Sequence, residues 1–148
     1  MSIKENYRKI RREIPEGATI VVAAKTRTKE EILELIAAGA TDIGENYIQE
    51  AQEVYSALGN EAKKLRWHMI GHLQTNKINK VLSIFDVMQT VDSYKKAQAI
   101  DKRVEAAGRN IVPVYIEINI GSEISKSGIK PDYNVIEGLI KKMSELNI

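Results

Sequence analysis

Lys25 offers the most reactive chemistry in the chain, a primary amine placed where a strand should give way to a helix. Thr19, Ile20, Val21, Val22, Ala23 and Ala24 are small or β-branched and predict a buried strand. Thr28 with Glu31 makes a capping box for the next helix, and Ile32, Leu35 and Ile36 supply its apolar stripe. The carboxyl end of a parallel strand, just before a helix, is where α/β folds bind ligands. The lysine reads in two ways. As a surface cation it runs its methylenes over apolar neighbours and leaves its ammonium in water. As a nucleophile it would use the room left by Ala23 and Ala24, with partial burial and the cations Arg27 and Lys29 disfavouring its protonated form. A neutral amine there can form a Schiff base with an aldehyde.

The ends of the other expected strands carry a consistent polar set: Glu45 and Asn46, His72 and Gln74, Thr90 and Asp92, and Asn119. Parallel strands would bring these to one end of a sheet, although polar residues at strand ends also cap helices. His68 and His72 stand four apart on a strand and loop rather than on a helix, so no metal site is expected and a buried, hydrogen-bonded His68 is the simpler reading. No GxGxxG or Walker sequence is present. Gly121, Ser122, Ser125, Ser127 and Gly128 could cradle a phosphate, or form a plain connection.

The elements that position these residues follow from periodicity. Ser2 and Glu5 cap a first helix with Ile3, Tyr7, Ile10 and Ile14 on one face, ending near Pro15 and Gly17. After the first strand and a helix that Gly39 should stop, a short strand from Thr41 leads to Glu45 and Asn46, then a helix over Tyr47 to Leu58. Gly59 to Lys64 reads as loop, Arg66 to Gly71 as the third strand, and Thr75 to Ile84 as a helix. Phe85 to Val91 is the fourth strand, followed by a helix capped by Asp92 and Ser93, with Ala97, Ile100, Val104 and Ala107 inward and Gly108 as its stop. In the fifth strand, Val112 to Asn119, Val114, Ile116 and Ile118 alternate with Tyr115, Glu117 and Asn119; the polar face fits a barrel interior, a ligand crevice or a wet edge. Residues 120–130 read as loop, and Asp132 caps a last helix with Val135, Ile136, Leu139, Ile140 and Met143 inward.

The pattern is five βα units in succession, an α/β chain with a parallel sheet. By length alone, 148 residues suit a flavodoxin-like doubly wound sheet, since a (βα)8 barrel usually needs roughly 200 or more. The composition suits one domain of net charge +2, whose 22 basic and 20 acidic residues are interspersed, without the basic stripe expected of a nucleic-acid binder. With no cysteine, disulfides, thiolate metal sites and cysteine nucleophiles are excluded. The charged start MSIKENYRKI is unlike a signal peptide, and no run suits a membrane span, so a cytoplasmic protein is expected.

Four blocks, AAKTRT at Ala23 to Thr28, GENYIQE at Gly44 to Glu50, WHMIGHLQTNK at Trp67 to Lys77, and Ile118 through SKSGI ending at Ile129, together resemble the pyridoxal-phosphate-binding homeostasis proteins of the YggS/PROSC type. They occur in that family's order and cover most of the chain. The resemblance implies a fold-type III protein, similar to the TIM-type barrel domain of alanine racemase, with Lys25 bound to pyridoxal 5'-phosphate as an aldimine. It places Asn46, the Gly71 to Asn76 loop with His72 and Gln74, and Asn119 around the cofactor. It implies a role in cofactor homeostasis without established turnover, with small amines or amino acids as further partners. Members of the family have about eight βα units, so strands six to eight, which carry the family's phosphate-holding groups, look absent here. Open edges on strands one and five would then favour self-association. Two other readings stay open: a racemase or lyase using the same aldimine, with Glu45 or His72 as acid or base, and a barrel fragment that does not bind the cofactor.

Overall fold

The computed structural model describes all residues, Met1–Ile148. Eleven α-helices and strands alternate as α1 (Ile3–Glu13), β1 (Val21–Ala23), α2 (Lys29–Ala38), β2 (Asp42–Glu45), α3 (Ile48–Leu58), β3 (Arg66–Met69), α4 (Ile78–Leu82), β4 (Val87–Val91), α5 (Tyr94–Ala106), β5 (Val114–Ile116) and α6 (Tyr133–Met143). The five strands form one sheet in the order β1-β2-β3-β4-β5. That order decides between the two architectures considered from sequence. A flavodoxin-like sheet runs 2-1-3-4-5, because its helices lie on both faces. A strictly sequential order is that of consecutive βα units in a barrel.

The chain divides into two compact units, Met1–His68 and Met69–Ile148. In the first, β1 pairs with β2 in parallel, with Val21, Val22 and Ala23 opposite Asp42, Ile43 and Gly44. Tyr7, Leu35 and Ala40 form an apolar cluster on which Ile3, Ile20 and Val22 pack. Both expected capping boxes form: Ser2 with Glu5 on α1, and Thr28 with Glu31 on α2. Gly39 ends α2 in the left-handed conformation at φ 98°, which only glycine adopts at low cost. Gly59–Lys64, expected to be loop, is a 3-10 helix whose Ala62 carbonyl accepts 3.0 Å from the buried Trp67 indole.

In the second unit β4 pairs in parallel with β5, Met88 opposite Val114 and Val91 opposite Ile116, with an irregularity between. Ser93 caps α5 and Asp132 caps α6 through their side chains. Ala97, Ile100 and Val104 are buried as expected, but Ala107 lies past the end of α5 and is exposed. The helix expected over Thr75 to Ile84 is split into a 3-10 turn, Thr75–Lys77, and the short α4. On α6 only part of the apolar stripe is covered: Leu139 and Met143 are buried, whereas Val135 and Ile140 are exposed.

Strand lengths depart most from expectation. β1 is three residues rather than six, because its register with β2 begins only at Val21, opposite Asp42, and ends at Ala23, opposite Gly44, which leaves Thr19, Ile20 and Ala24 outside the strand. β5 likewise stops at Ile116. Beyond it, Ile129 pairs alongside the chain: its N–H donates to Glu117 O at 2.9 Å, and its carbonyl accepts from Asn119 N at 2.8 Å. The chain's own 120–130 segment is therefore paired alongside residues 117–119, just past β5.

Candidate functional site

In the first unit the site begins where β1 ends. Ala24 N–H still donates to Gly44 O at 2.9 Å, and its side chain is fully buried. The next residue, Lys25, is exposed. Thr26 then takes the left-handed conformation at φ 64°, costly for a β-branched residue, and the turn closes with Arg27 N–H donating to Ala24 O at 3.0 Å. Glu50 on α3 reaches the turn, accepting from Thr26 N–H at 3.4 Å. Activation of the amine would call for partial burial and for Arg27 and Lys29 as free cations beside it. Instead the amine is open to solvent, and the Arg27 guanidinium is engaged with Glu31 at 3.0 Å.

One strand over, β2 ends in Glu45, followed by the half-buried Asn46. Glu45 is only 1% exposed, and neither carboxyl oxygen has a hydrogen-bond partner. Burial pushes its pKa up to about 7, helped by the negative charge of Glu50; the Asn46 amide opposes this weakly, without a hydrogen bond of proper geometry. Deeper in the same unit, His68 is buried and bonded through Nε2 to Asp42 Oδ1 at 2.8 Å. That is the structural histidine expected in place of a metal ligand.

In the second unit, Thr90 near the end of β4 donates through Oγ1 to Gly71 O at 2.7 Å, tying down the segment that carries His72 and Gln74. His72 is exposed, with Nδ1 3.3 Å from Ser127 Oγ. Gln74 is exposed at the start of the Thr75–Lys77 turn. Asn119 is committed to its own loop: Nδ2 donates to Glu123 O at 2.8 Å and Lys126 O at 3.3 Å, and Oδ1 accepts from Glu123 N at 3.2 Å. The amides of Ser122 and Lys126 also donate within the loop, to Asn119 O and Glu123 O. These amides hold the loop's shape instead of facing an anion, which favours the plain-connection reading of its serines and glycines. Gly128 is required there, since φ is 107° and a Cβ would stand 2.8 Å from Asn119 N. Glu117, on the polar face expected for the fifth strand, has one buried oxygen, Oε2, with no hydrogen-bond partner.

Lys25, Asn46, His72, Gln74 and Asn119 thus each follow the carboxyl end of a strand. Sequence reasoning placed Glu45 at a strand end but not in the binding set. The signal was present, a glutamate closing a fully buried strand.

Residues 1–148 match the family described as alanine racemase, N-terminal domain. The chain is 36% identical over 156 residues to the pyridoxal phosphate homeostasis protein of Pasteurella multocida, covering 99% of this chain and 66% of that protein. It is 41% identical over 115 residues to the homologous protein of Haemophilus influenzae, covering 76% and 47%. The chain therefore spans about half to two thirds of the length of these curated relatives. Among solved structures, PipY of Synechococcus elongatus PCC7942 superposes with TM-score 0.88 without PLP and 0.84 with PLP bound, in each case at 28% identity over 98% of this chain. These matches cover 66% and 65% of the PipY chain. Alanine racemase of Clostridium difficile shares the fold, with TM-score 0.79 at 16% identity over 98% of this chain and 37% of its own.

Proposed function

Because the chain belongs to the pyridoxal phosphate homeostasis branch of the alanine racemase N-terminal domain family, we propose that it binds pyridoxal 5'-phosphate through Lys25 and serves in the homeostasis of that cofactor. The observation that carries this reading is the placement of Lys25: an exposed amine at the carboxyl end of β1, beside Ala23 and the buried Ala24, on a turn held by Glu50. The residues fit the aldehyde end of the cofactor, since a small-residue floor lies beside a reachable primary amine. The cofactor would supply an electron-withdrawing ring and an aldehyde carbon, and the Lys25 amine would be the group that holds it, through a C=N bond with release of one water. Asn46, His72 and Gln74 keep exposed or half-exposed polar groups at successive strand ends and serve as its surroundings. Asn119 serves by shaping the 120–130 segment. Small amines or amino acids are the partners this chemistry implies.

Binding is favoured over turnover. A racemase or lyase needs an acid or base open to substrate, and Glu45, whose pKa of about 7 would suit that task, is 1% exposed. The deciding experiment is an absorbance titration of the chain with pyridoxal phosphate, with Lys25→Ala in parallel and mass mapping after borohydride reduction. A saturable imine band, lost in the variant and mapped to Lys25, is the expected result. Adducts scattered over many lysines, or a stoichiometric adduct surviving in Lys25→Ala, would overturn it.

A further inference from the structure

Glu45 is a buried carboxyl group without a hydrogen-bond partner, and the proposed tether gives it no role. On the elements that flank β2, the other ionisable groups are bonded elsewhere or exposed. On the turn after β1, Arg27 is paired with Glu31 at 3.0 Å and Lys25 is exposed; on β3, His68 is bonded to Asp42 at 2.8 Å. From α3, Glu50 presents a second carboxylate, whose Oε2 accepts from the Thr26 amide at 3.4 Å. Thr26 is strained at φ 64° and directly follows Lys25, so the Glu50 contact bears on the joint that aims the amine. Two neighbouring carboxyl groups, one of them buried, resist carrying two negative charges at once.

We propose that Glu45 is a positioning residue for Lys25, acting through Glu50 and the left-handed Thr26 turn: neutral Glu45 leaves Glu50 seated on the Thr26 amide, and ionised Glu45 displaces it. The inference rests on the reading of Lys25 as the cofactor tether. Burial and Glu50 raise the Glu45 pKa to about 7, so the turn is held below that pH and loosened above it. Ionising Glu45 adds a charge beside Glu50, and the more exposed of the two side chains, Glu50, is the one free to move toward water.

The test begins on the cofactor-free chain, by following the Thr26 amide resonance from pH 5.5 to 8.5 in the wild type, Glu45→Gln and Glu50→Gln. The Thr26 resonance should titrate with a midpoint near 7 in the wild type and be flat in both variants. A flat wild-type curve overturns the inference even if neither variant folds. In the second arm, the apparent affinity of pyridoxal phosphate at Lys25 is measured across the same range. Effects of cofactor and lysine ionisation are common to wild type and Glu45→Gln, so their ratio isolates Glu45. Wild-type affinity relative to Glu45→Gln should fall roughly five-fold from pH 6 to 8.5, the low end of coupling between sites. A constant ratio with adduct still mapped to Lys25 overturns the positioning role and leaves the tether standing. A titrating Thr26 amide with no adduct at Lys25 overturns the tether, and the positioning role with it.

Discussion

Asp42 carries more of the first unit's polar interior than its place at the start of a strand suggests. Its two oxygens accept from different partners, Oδ2 from Thr41 Oγ1 at 2.7 Å, while Oδ1 lies 2.8 Å from the buried His68 Nε2. Replacing Asp42 with Ala leaves a buried imidazole nitrogen without this partner, and should cost about 2–3 kcal/mol in urea unfolding. Asp42→Asn, which keeps an acceptor at Oδ1, should cost less. His68 as a structural histidine was legible because it and His72 fall on a strand and loop rather than on one helix face. Its partner was not, because a contact across 26 positions leaves no local trace. Lys25 was legible for the opposite reason, since strand, lysine and capping box are adjacent in the chain. Its exposure was not, because burial is decided by what other segments cover. At this scale Lys25→Ala should abolish the imine band while leaving far-UV circular dichroism unchanged, because an exposed side chain contributes little to stability.

Helix ends were the most readable elements. The Ser2, Thr28, Ser93 and Asp132 caps and the Gly39 stop use contacts within a few residues, and each formed where its sequence signal stood. Thr28→Ala removes the acceptor for Glu31 N–H and should destabilise the chain by about 1 kcal/mol. Donation from the Thr28 amide also holds the Glu31 carboxyl below its ordinary pKa. That contribution is present above the unfolded value of Glu31 and is lost as the pH falls through the folded one. The stripe on α6 read less well: periodicity marked Val135 and Ile140 as apolar but could not say whether anything lies over them. The 120–130 segment was harder still. Its polar composition hid a pairing of Ile129 with the chain beyond β5, which depends on Asn119 and on the space left by Gly128. Gly128→Ala forces both a disfavoured φ and a 2.8 Å approach to Asn119 N. The expected outcome is faster tryptic cleavage at Lys126 and Lys130 than in the wild type, with the global unfolding transition shifted less than the cleavage rate.

For the whole chain, Glu45 sets an unusual dependence of stability on pH. Unfolded, its carboxyl ionises near 4.5; folded, near 7. Between these values the unfolded chain has lost the proton that the folded chain keeps, so the Glu45 contribution to stability is fully present below about 4.5 and is lost as the pH rises through about 7. The decline is on the order of 3 kcal/mol. Denaturant midpoints measured at pH 5 and 8 should therefore converge in Glu45→Gln relative to the wild type, and a wild-type slope equal to the variant's would exclude the effect. The order of the strands was the feature length misjudged, since a chain of 148 residues suits a doubly wound sheet better than a barrel until the pairing is known. That same order bears on how the molecule is made. In a doubly wound sheet the first strand must wait to be flanked on both sides by later ones; here each strand adds beside the one synthesised just before it. Loop closures stay short, and a nascent chain emerging amino end first can complete each parallel pair without holding an earlier strand in reserve. On the ribosome, the turn carrying Lys25 would acquire its neighbour β2 within some twenty residues of its own synthesis, well before the last helix exists.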